Sequence, residues 1–410
     1  MDFTVSEAAG ELAGLARKIL AEREEPWADL AAAGVLAAGL PAVLDGAGLG
    51  LLEQCSVLIE LGRAACDVPY LASVVLGAGA ITAFGTARQQ ERWALPAGQG
   101  LVVLTAALED DPAGTPARAG RSPDGSWVVS GAKTAVPHAP GASLFLVPAA
   151  SADGELVFLV RPSDAGVSVE PQRLTSFAPA GRLVLDGVAL GDDRVLGPGE
   201  PVADWLVARG TVGVCATQAG VLERALELTA GHARTRVQFG RPIGSFQAVA
   251  QRLADCFIEV EAVGLTMWQA AWLLSEGLPA EVEVATAKFW AAEAGHRVAH
   301  TAVHVHGGLG IDVSYPVHRY FAAAKGNEFA LGGATAQLRR IGAALARLPA
   351  PQDHWSAACG PRTPAGRRGQ GQSGSHGWLG APRLQGCGAG VPAAAAAHDG
   401  RRGGRRLPPR

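Results

Sequence analysis

Two segments in the C-terminal half carry residue types that bind phosphate groups. The first reads RTRVQFGRPIGSFQ over residues 234–247. Phe239-Gly240 ends one long helical pattern, and Pro242 permits a tight restart into the next. Arg236 therefore lies at a helix C-terminus, where its planar guanidinium can bind a diphosphate through two hydrogen bonds. An exposed arginine on a plain helix-hairpin turn is the alternative interpretation.

The second segment reads HVHGGLGIDVSYPVHRY over residues 304–320. Its Gly307-Gly308 pair allows the backbone to approach a phosphate closely. His296, His300 and His304 share one face of a predicted helix, a spacing that can ligate zinc. No Glu follows His296 as in H-E-x-x-H, and no cysteine is near, so we favour a packed or polar helix face and predict no metal site.

Standard nucleotide-binding and nucleophile fingerprints are missing. A dinucleotide-binding loop needs G-x-G-x-x-G directly after a strand. Gly77-Ala78-Gly79 reaches Thr82 where the third glycine should stand, and it lies in a predicted helix. The sequence also has no G-x-x-x-x-G-K-[ST] loop and no G-x-S-x-G elbow. Any nucleotide that this chain binds must therefore be held in another way.

Three regions of different texture would position these residues. Residues 1–97 are rich in Ala and Leu at helical spacing, 98–200 alternate short Val/Leu runs with turn residues, and 201–348 return to the helical period. The sequence therefore predicts an α+β chain with an N-terminal helical domain, a middle β domain and a C-terminal helical bundle. The predicted helices of the last domain are 203–237, 243–276, 280–305, 318–330 and 333–348.

Residues 349–410 differ in kind, because they are rich in Pro, Gly, Ala and Arg and have almost no aliphatic periodicity. Such a composition cannot bury enough apolar surface to order itself, so we interpret it as a disordered or spurious tail. A basic tail that binds nucleic acid is the less favoured alternative.

Bulk properties limit the class of protein. The net charge of -3 and 48% hydrophobic content indicate neither nucleic acid nor an anionic membrane as a general partner. The acidic N-terminus and the lack of an uncharged apolar run of roughly 18 residues predict a cytoplasmic protein. No CxxC pair occurs. Packed core thiols are expected at Cys55, Cys66, Cys215 and Cys256.

Both phosphate-binding segments resemble the acyl-CoA dehydrogenase flavoprotein family. The first is very similar to R-x-Q-F-G-x-P-I-x-x-F-Q, with Leu253-Ala254-Asp255 as the downstream L-A-D, and the second resembles Q-x-x-G-G-x-G-x-x-x-x-x-P. A weaker likeness covers ALEDDPAGT at 107–115 and DGSWVVSGAK at 124–133, so the resemblance spans about residues 1–348. It implies a β-barrel-like middle domain, a C-terminal four-helix bundle and FAD as cofactor. An acyl-CoA substrate and an electron-acceptor flavoprotein partner are implied too.

The resemblance also implies site roles. In the family, these two segments grip the adenine and diphosphate end of FAD bound to the neighbouring subunit. Those roles fall by match on Arg236, Phe239, Gln247, Gly307 and Gly308. His304 stands where the family usually has Gln and can still donate one hydrogen bond. Thr115 is a fair substitute for the Ser that usually contacts the flavin.

The catalytic base of the family is not found at its expected positions. Family members take a proton from the α-carbon of the thioester with a carboxylate and pass hydride from the β-carbon to the flavin. Counting from Gly333 or from Lys325 places the base at Gly332 or at Leu331. The alternative family position, on the long helix before the first segment, falls at Gly210.

Three flavin-ring positions depart as well. Glu109 replaces a Thr, and Ala135 and Pro137 stand where the family has Trp and Thr. Pro137 has no N–H to donate. We therefore favour a degenerate subunit of a hetero-oligomer, similar to actinobacterial members, that completes the FAD site of a homologous catalytic chain. A self-sufficient homotetrameric enzyme with a relocated base at Glu328 and a non-redox scaffold are the alternatives.

Overall fold

A computed structural model describes residues 6–176 and 178–347. The predicted tail, with Cys359 and Cys387, lies outside the described residues. Within them, no helix combines the length and the hydropathy needed to cross a membrane.

The N-terminal region is helical, as predicted. Its first helix begins after Ser6, whose hydroxyl accepts a hydrogen bond from the N–H of Ala9. The α-helices are α1 (Glu7–Glu22), α2 (Trp27–Ala32), α3 (Leu51–Ala64), α4 (Gly79–Phe84), α5 (Ala87–Gln89) and α6 (Leu95–Gly98), with π-helical segments at Tyr70–Ala78 and Gln90–Ala94. The Gly77-Ala78-Gly79 triplet is part of this helical structure and forms no phosphate loop.

The middle region is one eight-stranded sheet. Its strands are β1 (Leu104–Ala106), β2 (Arg118–Arg121), β3 (Trp127–Pro137), β4 (Leu144–Ser151), β5 (Gly154–Val160), β6 (Val167–Arg173), β7 (Pro179–Leu190) and β8 (Val195–Leu196). They follow the order β6-β7-β3-β2-β4-β5-β8, and β1 pairs with β4. In the described part of the chain this path does not close into a complete barrel, because β6 and β8 form no ladder with each other.

The C-terminal region is a helical bundle with a small hairpin. Its elements are α7 (Val202–Thr235), β9 (Val237–Gln238), β10 (Arg241–Pro242), α8 (Gln247–Ser275), α9 (Glu281–His306), α10 (Val317–Phe329) and α11 (Ala334–Ala346). Helices α7, α8, α9 and α10 pack together, and α11 lies on α9. The sequence predicted these five helices to within a few residues. The domain boundaries 97/98 and 200/201 stay predictions.

Two glycines allow α3 of the N-terminal region to pack against α7 at backbone contact. A Cβ on Gly62 would lie 2.1 Å from the carbonyl oxygen of Thr217, and a Cβ on Gly220 would lie 1.9 Å from that of Ile59. Real Cβ atoms do not approach so closely, so both positions require glycine. This contact fixes the N-terminal helices against the bundle.

We predict that Gly220→Ala lowers the free energy of unfolding by about 1–3 kcal/mol or more, because the new methyl group overlaps a backbone oxygen. Gly231→Ala is the matched control on the same helix, since a Cβ there has no neighbour within 4 Å. It should be neutral or stabilising by up to about 1 kcal/mol. Urea unfolding of the full chain measures both, and equal effects would contradict the packing argument.

Candidate active site

A β-hairpin with a two-residue turn follows α7 and presents Phe239 to solvent. Phe239 has φ 51° and Gly240 has φ 78°. Both lie in the left-handed region that a tight hairpin turn between β9 and β10 requires. The Phe239 side chain is 92% exposed. A non-glycine residue in this conformation is strained by about 1–2 kcal/mol, so the surrounding structure must hold it there.

Arg236 lies between α7 and this hairpin, with its backbone fixed on both sides. Its N–H donates to the carbonyl of His232 at 2.8 Å, and its carbonyl accepts from the N–H of Ile243 at 2.8 Å. The residue is exposed, so the guanidinium is available to an anion outside the chain.

The glycine pair lies at the same end of the bundle. Gly307 ends α9 with φ 61°, and a Cβ on Gly307 or on Gly308 would meet nothing within 4 Å. The ring of His306 stacks on that of His232, with the ring centroids 4.4 Å apart. This stack joins the end of α9 to the end of α7, and so places the glycine turn beside the segment that carries Arg236.

The structure thus brings most of the predicted cofactor-binding residues to one surface. We call this surface the grip and define it as Arg236, Phe239, Gln247, His304, Gly307 and Gly308, all of which are exposed. Thr115 is exposed too, but it belongs to the middle sheet region, where its carbonyl accepts from the N–H of Ala132.

A cavity of about 360 Å³ lies where α3, the middle sheet and the C-terminal bundle meet. Gly210 and Leu331, the two expected base positions closest to it, both line this cavity. A Cβ on Gly210 would lie 3.3–3.6 Å from the side chains of Leu331, Leu76 and Leu108. Leucine side chains therefore surround the place where a base carboxylate was sought.

Glu109 closes one side of the cavity. Its carboxylate accepts a hydrogen bond of 2.7 Å from the N–H of Leu331, which has φ 57°. Gln337 donates to the carbonyls of Leu331 and Gly332 at 3.0 and 2.9 Å. The turn between α10 and α11 is therefore held by side chains on both sides, and Glu109 ties it to the middle sheet.

The two other altered ring positions are also used within the chain. The N–H of Ala135, which has φ 50°, donates to the side-chain oxygen of Gln172 at 2.8 Å. The carbonyl of Pro137 accepts from the hydroxyl of Thr105 at 2.7 Å. Since Ala135 already has an acceptor and Pro137 has no N–H, these positions offer no free backbone donor to a flavin ring.

Glu328 is paired with two neighbouring side chains. Its carboxylate lies 2.5 Å from the Nζ of Lys325 and 3.4 Å from the Nδ1 of His296, and the residue does not line the cavity. Its carbonyl accepts from Lys288 at 3.0 Å. Lys288 is fully buried, and this burial lowers the pKa of its ammonium group. The structure thus shows Glu328 in the ion-paired setting of a helix residue.

Sequence reasoning missed a pair of ionisable side chains in the cavity wall. Asp67 and His138 approach to 3.5 Å, and both line the cavity. Burial raises the pKa of Asp67 and lowers the pKa of His138. The only sequence signal was the turn Asp67-Val68-Pro69, which predicts a loop but not its partner 71 positions later in the middle sheet.

The remaining polar groups give no metal centre in the described part of the chain, where no group of three or more His, Cys, Asp or Glu could hold an ion. Cys55, Cys215 and Cys256 are buried and Cys66 is partly buried. Burial raises the pKa of the Cys215 thiol to about 12, so this group is inert near neutral pH.

Comparisons with known proteins relate this chain to acyl-CoA dehydrogenases. Residues 4–100 match the family described as acyl-CoA dehydrogenase, N-terminal domain, and residues 197–346 match acyl-CoA dehydrogenase, C-terminal domain. Acyl-CoA dehydrogenase FadE27 of Mycobacterium tuberculosis is 48% identical over 85% of this chain and 100% of its own. The crystal structure of the ChsE4-ChsE5 complex from the same organism matches with a TM-score of 0.82 and 49% identity, over 85% of this chain and 100% of the matched chain. The Tcur3481-Tcur3483 steroid ACAD matches with a TM-score of 0.78 and 39% identity, over 84% and 99%.

We predict that Glu109→Leu destabilises the full chain by about 1–3 kcal/mol, because the N–H of Leu331 loses its acceptor in a partly buried place. Glu109→Gln is the matched variant, since its amide oxygen can still accept this hydrogen bond. It should retain most of the stability in the same unfolding experiment. A Gln variant as unstable as the Leu variant would show that the hydrogen bond is not what holds the turn.

Proposed function

The chain belongs to the acyl-CoA dehydrogenase family of flavoprotein oxidoreductases, and from this premise we propose that it is the non-catalytic subunit of a hetero-oligomeric acyl-CoA dehydrogenase. In this role it completes the FAD site of a homologous catalytic chain, and the two chains together dehydrogenate an acyl-CoA thioester between the α- and β-carbons.

The proposal rests on a difference between the two halves of a flavin site. This chain's residues fit the diphosphate half and do not fit the ring half. On the grip, Arg236 offers a planar cation and the turn at Gly307 and Gly308 leaves the backbone open, so the residues fit a diphosphate. At the ring positions, Glu109 is bonded to Leu331 and Ala135 is bonded to Gln172, so the residues do not fit a flavin ring.

The chemistry assigned to this chain is therefore binding and not proton transfer. When bound, FAD supplies the acceptor for hydride, and the catalytic partner supplies the base that takes the α-proton. Arg236 neutralises the diphosphate, and the glycine turn provides backbone contact to it. Phe239 is 92% exposed at the hairpin tip and would be covered by the partner chain.

The wider assignment draws on the relatives. One similar structure is of a ChsE4-ChsE5 complex, and another is of a steroid ACAD. We propose by analogy a heterotetramer that acts on a bulky acyl-CoA of lipid or steroid catabolism in the cytoplasm and passes electrons to an acceptor flavoprotein.

A self-sufficient homotetramer is the second candidate, and it needs a carboxylate that reaches the substrate. Asp67 lines the cavity, and burial raises the pKa of its carboxyl group, which is the direction expected of a general base. Glu328 has no such position, because it does not line the cavity and its carboxylate is paired with Lys325. A non-redox scaffold would retain no flavin in any complex.

Purification of the full chain with and without a homologous catalytic chain tests the proposal. Alone, the chain should be colourless and should not dehydrogenate any acyl-CoA in a panel of chain lengths and ring systems. The co-purified complex should be yellow and active. A yellow and active homo-oligomer of this chain would overturn the proposal, and a colourless complex would favour the scaffold.

We predict that Arg236→Ala in the complex weakens FAD retention by about 10- to 100-fold, because a charge-assisted bond to the diphosphate is lost. Arg234→Ala is the matched control, since Arg234 is an equally exposed arginine two residues earlier in the same segment. Equilibrium dialysis against flavin-free buffer measures both. Equal losses would indicate a general charge effect instead of a specific contact.

We further predict that Glu328→Gln leaves the acyl-CoA dehydrogenation rate of the complex nearly unchanged, because Glu328 does not line the cavity and its carboxylate is paired with Lys325. A general base would lose about 10²–10⁴-fold in rate. Asp67→Asn serves as the parallel variant for the other candidate base. A loss of that size in either variant would assign the base to this chain.

A further inference from the structure

The two halves of the grip are joined by aromatic rings that can each take up a proton. His232 lies in the last turn of α7, four residues before Arg236, and His306 is the last residue of α9, directly before Gly307. Their rings stack at a centroid distance of 4.4 Å with 25° between the planes. Whatever separates these rings also separates the arginine from the glycine turn.

The hydrogen bonding of His306 defines its protonation state in this arrangement. Its Nδ1 lies 2.8 Å from the carbonyl oxygen of Ala302, which can only accept, so Nδ1 carries the proton. Its Nε2 is buried and has no partner among the described residues, and the whole residue is 5% exposed. The stacked ring is therefore neutral, and Nε2 faces no protein donor or acceptor among the described residues.

A proton on either ring is disfavoured for reasons visible in the geometry. On His306 it would place an N–H without an acceptor and a charge without a counterion in the interior. On His232 it would stack a cation on the other imidazole and beside Arg236, a second cation. The ring of Tyr315 also packs on His306, at 5.4 Å, and neither histidine forms an ion pair within the described residues.

We propose that the His232–His306 stack is a proton-sensitive positioning element of the grip. With both rings neutral it holds Arg236 beside the Gly307-Gly308 turn. Proton uptake separates the rings and releases the bound nucleotide end of FAD. The inference rests on the proposed function, and it adds a regulation by pH that involves residues outside the family motif roles.

The sign of the pH effect follows from linkage. Burial lowers the pKa of both histidines in the stacked state, and the proximity of His306 and Arg236 lowers the pKa of His232 further. The separated state therefore binds more protons once the pH falls below the ordinary imidazole pKa of about 6.5. The stack is intact above this value and is progressively lost as the pH falls below it, by up to about tenfold per pH unit for one linked proton.

The flavin-loaded complex with its catalytic chain provides the test. Release of FAD is followed by fluorescence of the freed flavin between about pH 7.5 and about pH 5.5, while circular dichroism checks that the fold persists. The wild type should release FAD about tenfold faster or more at the acidic end. His232→Phe combined with His306→Phe keeps two stacked rings without a titratable nitrogen, and should remove most of this dependence.

Controls make each outcome decisive. His296→Gln removes another histidine of α9, ten residues from the end of that helix, and should retain the wild-type pH dependence. The single variant His232→Phe breaks no hydrogen bond of His306 and should also weaken the pH dependence. It provides the test if the double variant fails to fold. A wild-type complex with pH-independent release, or Phe variants with an unchanged pH profile, would overturn the inference while FAD binding still supported the proposed function. A complex without FAD at any pH would instead reject the proposed function itself.

Discussion

A single hydrogen bond between the Glu109 carboxylate and the N–H of Leu331 is the contact on which this account depends. It joins residues 222 positions apart and fastens the turn between α10 and α11 to the middle sheet. The carboxylate stands where the family resemblance implies a flavin-contacting threonine, and Leu331 is one of the positions that the sequence predicted for the base. One contact therefore uses both positions for the fold, and leucine side chains surround Gly210, another predicted base position.

At Arg236 and Phe239 of the grip, by contrast, the backbone is held within the chain while the side chains are exposed. Backbone hydrogen bonds fix Arg236, but its side chain is exposed. Phe239 is held in a strained left-handed conformation and exposes 92% of its surface. Within the chain the Phe239 ring packs edge-on against Phe246, with the ring centroids 6.2 Å apart, yet most of its surface stays open to solvent. The proposed function explains this exposure, because a neighbouring subunit would cover the hairpin.

Local patterns in the sequence predicted the helices and the turns at Phe239-Gly240 and Gly307-Gly308, because helical period and turn residues act over a few positions. The binding roles of the grip residues came from the family resemblance and stay predictions. They predicted short strands between residues 98 and 200 but not the length of β3, which runs through two register shifts to Pro137. They did not predict the bond between Glu109 and Leu331 or the pair formed by Asp67 and His138. Such contacts join distant segments, and nothing in the neighbouring residues specifies the partner. The departures from the family motif were visible in the sequence, but their physical meaning came from these distant contacts.

The number of FAD molecules per polypeptide in the purified complex is the most direct test of the account. Flavin absorbance against total protein, with the subunit ratio measured separately, gives this number. The account predicts one FAD for every two chains in an equimolar complex, because each flavin needs the grip of this chain and the ring site of its partner. One FAD for every chain would show that the cavity closed by Glu109 and Leu331 holds a flavin after all, and would contradict the account.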